Sequence, residues 1–122
     1  MKRRGCLLWG VTALLLCPGA WAGPDAEEKV RIDKLIAAVG KRQDIKFIRN
    51  GKEYNSDQAA EFLHGKLKWR FGRVSSVNDF IEQIGTRSTT SGEIYQVRMP
   101  DGKLMPSADF LRQELDRIER PR

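Results

Sequence analysis

The residues best equipped to hold a small anion are Arg49 and Asn50, just before Gly51, and the run Arg87, Ser88, Thr89, Thr90, Ser91 and Gly92. A guanidinium bonds a carboxylate or phosphate through two parallel N–H groups, and a hydroxyl-rich stretch ending in glycine adds O–H and backbone N–H donors. Arg49, Asn50, Arg87, Ser88, Ser91 and Gly92 are therefore the candidate ligand-binding set. The competing reading is structural: Asn50 and Gly51 make a turn, and the hydroxyls cap neighbouring elements. No Gly-rich nucleotide cradle accompanies them.

Other chemistries find less material. Nucleophilic catalysis needs a base beside a hydroxyl, and His64 is the sole histidine, without any Gly-x-Ser-x-Gly elbow. One histidine and 16 scattered carboxylates form no ligand cluster of recognisable spacing, so neither a metal nor a cofactor is expected. Glu53, Asp57 and Glu61 lie close together, but Asp57 and Glu61 are spaced i, i+4, as on a solvated helix face. Trp69 and Phe71 interleave with Lys66, Lys68 and Arg73, a pattern able to stack on bases or sugars. Its structural reading has Phe71 plugging the core where the chain turns, with Trp69 half covering it.

The N-terminus sets the compartment. Lys2, Arg3 and Arg4 precede an apolar stretch from Cys6 to Cys17, too short to span a bilayer, followed by Pro18, Gly19 and the small-x-small triplet Ala20, Trp21, Ala22. Residues 1–22 read as a cleavable signal peptide, cut between Ala22 and Gly23. The alternative, a lipoprotein anchored through Cys17, is disfavoured by Leu16, where a small residue is wanted. Three of the 22 basic residues leave with the signal, so 19 face 16 acidic ones and the mature charge is +3. That is too mild to announce nucleic acid. Cys6 and Cys17 leave as well, which removes disulfides, thiolate metal sites and cysteine nucleophiles. The expected product is a periplasmic domain of residues 23–122, with no stable membrane insertion after cleavage.

The elements that must position the candidate residues follow from periodicity. Ile32, Leu35, Ile36 and Val39 predict an amphipathic helix over residues 25–42. Residues 45–49 and 52–55 flank Asn50 and Gly51, a pair suited to a type I′ hairpin turn, with Phe47 opposite Tyr54. Asn55 or Ser56 caps a second helix running to about Arg70, weakened by Gly65, with Ala59, Phe62, Leu63 and Leu67 inward. Ser75 or Ser76 caps a third, in which Val77, Phe80, Ile81 and Ile84 repeat the spacing as far as Gly85. After a loop over residues 86–92, a strand over 93–99 turns Tyr95, Val97 and Met99 to one face; Pro100, Asp101 and Gly102 turn into residues 103–105. Pro106 and Ser107 open a last helix, with Leu111, Leu115 and Ile118 buried, ending at Pro121.

Gly51, Lys52 and Ser56 are echoed by Gly102, Lys103 and Ser107, so a plan of strand, Gly-Lys turn, strand, serine cap and helix is read twice, as a ββα pseudo-repeat. A lone hairpin is marginal in water, so the two hairpins are expected to join in one antiparallel sheet. The fold class is α+β: one small domain, two β-hairpins and about four helices.

Phe47, Ile48, Arg49, Asn50 and Gly51, then Ala59, Ala60, Glu61, Phe62 and Leu63 with Lys66, resemble the YfeK-like family of small exported proteobacterial proteins. Val77, Asn78, Asp79, Phe80 and Ile81, and Ser88 to Gly92 with Tyr95, extend the resemblance from Val30 to Leu115. It implies periplasmic export and a shared fold, and no activity, ligand or partner. Some members carry a cysteine flanking the hairpin; Asp44 and Asn55 stand nearby here.

The expected function is a non-catalytic envelope module binding a protein or an anionic envelope component, with Arg49 within reach of the Ser88 to Gly92 backbone. The alternative is a small hydrolase using His64.

Overall fold

The computed structural model describes residues 23–88 and 90–120; the expected signal segment and Thr89 lie outside them. Helix α1, Ala26–Lys41, starts where the Asp25 carboxylate accepts the Glu28 N–H at 2.9 Å, and it buries Ile32, Leu35, Ile36 and Val39 completely. Strands β1, Lys46–Arg49, and β2, Lys52–Tyr54, are joined by Asn50 and Gly51 at φ 52° and 81°. Both central residues of a type I′ turn need positive φ, which is why this dipeptide stands there. Asn55 and Gln58 form a reciprocal capping box at the head of α2, Ser56–Trp69, through bonds of 2.8 and 2.9 Å. The helix runs unbroken through Gly65.

A 3₁₀ turn, Phe71–Arg73, leads to Ser76, which caps α3, Val77–Asp79. The chain then widens into a π-turn, Phe80–Ile84, that buries Phe80, Ile81 and Ile84. Strands β3, Gln96–Arg98, and β4, Leu104–Pro106, precede α4, Ser107–Glu119.

All four strands form one antiparallel sheet in the order β2-β1-β3-β4. Phe47 faces Tyr54 on one side and Val97 on the other, and Val97 faces Met105. The two hairpins thus have the pairing of an approximate two-fold that passes between Phe47 and Val97. Ser56 follows Tyr54 by two residues as Ser107 follows Met105, and both serines are buried at the first turn of a helix. The helices cover one sheet face, where Phe47 meets Phe110 edge-on at 5.6 Å and joins Val97 in the core. The other face is solvated and carries an Arg98–Glu53 ion pair at 3.0 Å. This is the α+β domain expected from the two hairpins.

Three details differ from the periodicity. The strand expected over 93–99 shortens to 96–98, preceded by an isolated Arg87–Ile94 bridge, because the loop before it bonds to itself. In α4 the innermost residues are Phe110, Leu111 and Glu114, with Leu115 and Ile118 only partly buried. A buried carboxylate is stable there because Arg42 and Arg117 each donate to it at 2.6 Å. Trp69 stands 83% exposed rather than half covering Phe71, which is itself packed against the core.

Candidate functional site

Side chains alternate across a strand, so Arg49, two residues after Phe47, leaves β1 on the helix-covered side. A charge on that side must find compensation. Its guanidinium lies over the Phe62 ring at 4.5 Å, and its Nε is buried without a hydrogen-bond partner among the described residues. On α2, Phe62, Lys66 and the C-cap residue Arg70 recur every fourth position and so share one stripe. Arg70 Nε is likewise buried and unbonded. Among the described residues, none of the ion pairs involves Arg49, Lys66 or Arg70.

Lys66 Nζ donates to the Tyr95 hydroxyl at 2.9 Å and to the Arg87 carbonyl at 2.8 Å. Burial, then repulsion from Arg70 and Arg49, pushes its amine down to about 8. Burial raises the Tyr95 hydroxyl, with Arg49 and Ser88 acting in the opposite sense. Arg49, Phe62 and Tyr95 form the wall between two adjoining cavities. One, about 310 Å³ and open, is bordered by Lys66, Trp69, Ser88 and Thr90. The other, about 230 Å³ and apolar, runs beneath the first hairpin against Phe47, Tyr54, Ala59 and Leu63.

A family of unknown function, DUF5329, matches residues 26–119. The chain belongs to that family. It is 34% identical over 95 residues to the uncharacterized protein YfeK of Salmonella typhimurium, a match covering 78% of this chain and 77% of that protein. The likeness seen in the hairpin and loop motifs is thereby shown. No solved structure matches the chain.

In this DUF5329 chain the candidate binding residues divide into two groups. Ser88 Oγ accepts the Thr90 and Ser91 N–H groups, each at 3.2 Å, and pairs with Thr90 Oγ1 at 2.9 Å. Ser91 Oγ donates to Asn50 Oδ1 at 2.6 Å and accepts the Glu93 N–H at 3.2 Å. Gly92, at φ 77°, donates its N–H to the Ser88 carbonyl at 2.9 Å. Asn50, Ser88, Ser91 and Gly92 therefore build the loop and tie it to the hairpin tip. Arg87 is exposed and contributes its carbonyl to Lys66. Arg49 alone of the six keeps a buried side-chain polar atom, its Nε, without a hydrogen-bond partner among the described residues, and it borders both cavities, the open one together with Ser88.

The residues that join Arg49 in the candidate site of this chain were not in that set: Phe62, Lys66, Arg70 and Tyr95. Their signal lay in the four-residue spacing along α2 and in the inward parity of Arg49 and Tyr95. His64 sits on the exposed side of α2 and bonds no hydroxyl or carboxylate among the described residues. Among those residues no three His, Cys, Asp or Glu side chains are placed to share a metal ion, and no helix is long and apolar enough to cross a membrane.

Proposed function

We propose that the chain is exported and acts in the periplasm as a non-catalytic binding module, holding an anionic group of a protein or envelope component at Arg49, Lys66 and Arg70. The observation that carries this reading is a cluster of three cations with no carboxylate partner among the described residues, two of them with a buried, unbonded Nε. An anion between them would fill the open donors and offset both the burial and the lesser repulsion from Arg70 and Arg49 that lower the Lys66 amine. A charged hydrogen bond made there contributes roughly 1.5 to 3 kcal/mol, whereas an exposed ion pair contributes little. Export rests on the pattern of residues 1–22.

Titration with inorganic phosphate, followed by NMR, tests the site. The Arg49 guanidinium and the amides around Lys66 and Tyr95 should shift together, and Arg49→Met should abolish the response while His64→Ala leaves it intact. Shifts spread evenly over all basic residues, or unchanged in Arg49→Met, would overturn the assignment. Export is tested by the intact mass of protein recovered from the periplasm: it should begin at Gly23 without lipid. A species starting at a diacylated Cys17, or retaining Met1, refutes that part.

A further inference from the structure

The anion site does not stand alone. Directly behind Arg49, Phe62 and Tyr95 lies the apolar cavity of about 230 Å³, walled by Phe47, Tyr54, Ala59 and Leu63. From the juxtaposition of this cavity with the uncompensated cations, we infer that the ligand is a small apolar carboxylic acid, an aryl or medium-chain acid. Its carboxylate lies at Arg49 and Lys66, and its hydrocarbon body enters the space between the first hairpin and α2. This inference rests on the anion-binding reading and adds the chemical class of the ligand.

Size excludes bulkier occupants. Cavities for drug-sized ligands run from about 300 to 1,000 Å³, so this one admits a single ring or a short chain and not a two-chain lipid. An inorganic anion would leave the apolar space unused. The head group follows from the geometry of Arg49, whose flat face is taken by Phe62, so that only its edge, where the buried Nε has no hydrogen-bond partner among the described residues, is left to bond a ligand. A planar carboxylate matches that edge with two parallel bonds. A single negative charge also sheds water beside apolar walls at lower cost than a doubly charged phosphate. Lys66 and the Tyr95 hydroxyl, bonded to each other, border the same opening and supply further donors.

The test is a chain-length series on the intact mature protein, acetate through hexanoate and octanoate to palmitate, with octylamine and inorganic phosphate as controls. Affinity should rise at least tenfold from acetate to octanoate and fall again at palmitate. Ala59→Leu, which narrows the cavity, should weaken octanoate severalfold and leave the phosphate response at Arg49 unchanged. The wild-type series stands without that variant should it fold poorly. Equal affinity for acetate and octanoate overturns the inference while leaving the anion site in place. Octylamine binding as tightly as octanoate also overturns it, since the cations would then play no part. If neither phosphate nor any carboxylate perturbs Arg49, both readings fall.

Discussion

Two guanidinium groups in this molecule lie over phenylalanine rings, Arg42 over Phe110 at 5.4 Å and Arg49 over Phe62 at 4.5 Å, and they differ in what else surrounds them. Arg42 is enclosed by acids, bonding Asp44 at 2.9 Å and the buried Glu114 at 2.6 Å, while Arg117 holds the second Glu114 oxygen at 2.6 Å. The Asp44 contact, before any other, raises the Arg42 guanidinium above its ordinary range, and in return holds the Asp44 carboxyl below its own. Among the described residues, Arg49 has the ring and no acid. The same cation-over-ring contact is thus a closed structural joint at one end of the core and an open charge at the other. The fold itself makes the point a second way. By the sheet's two-fold, the counterpart of Arg49 is Met99, two residues after Val97, and Met99 packs against the core. Nothing in the architecture calls for a cation in that slot.

The contrast breaks first at Glu114. Glu114→Gln should lower stability by about 2 to 3 kcal/mol, less than the roughly 3 to 5 kcal/mol of a fully buried pair because Arg42 and Arg117 keep part of their surface in water. An unchanged urea midpoint would mean the closed joint holds nothing. Gly51→Val should cost about 1 kcal/mol or more, since a β-branched residue resists the φ of 81° found there. Because Asn50 anchors Ser91, the phosphate response at Arg49 should weaken in the same variant. A native midpoint and native response together would show that the turn does not position the site.

A smaller effect sharpens the comparison through pH. Lys66, faced by Arg49 from β1, by Arg70 on its own helix and by the Tyr95 hydroxyl ahead of β3, titrates near 8 in the folded chain against an ordinary 10.5. Between those values the unfolded state binds more protons, so stability should rise as pH climbs from 8 to 10; below 8 the penalty is fully present. Tyr95 acts in the opposite sense, and only above its ordinary 10.0, which keeps the window clean. Lys66→Met should flatten the rise, and a slope persisting in that variant assigns it to another group. The smallest effect belongs to Arg49→Met, which copies the Met99 arrangement and should move stability by no more than about 0.5 kcal/mol. A loss comparable to that of Glu114→Gln would make Arg49 a structural residue.

Much of the fold was legible because its signals are local. The spacing of Ile32, Leu35, Ile36 and Val39 and the Asn50 and Gly51 pair act within a turn or two of chain and appear as read, whereas the serine after each hairpin, read as a cap, is instead the first residue of its helix behind Asn55 or Pro106. Glu114 was not legible as a buried residue, since its partner Arg42 lies far away in sequence and only the packing of α4 on α1 joins them. The site shows the same limit. Arg49 was recognisable by its chemistry, and the Phe62, Lys66, Arg70 stripe by its spacing. Their convergence with Tyr95 depends on β1 pairing with β3, a contact that neither segment encodes alone. Ser88 and Ser91 attracted attention as donors, yet their hydroxyls were already committed to the loop.

That central pairing also governs how the chain reaches its structure. Each hairpin, with the helix after it, closes over short stretches, whereas Phe47 and Val97 must meet across much of the chain. Loop-closure entropy makes such a contact late to form. Until it forms, β1 and β3 each present a bare backbone edge, and because their pairing is nearly symmetric, the β1 of one copy fits the β3 of another as well as its own. The half-folded chain is therefore its own most dangerous neighbour, and refolding yield should fall as protein concentration rises, through exchange of whole hairpin-helix halves between molecules.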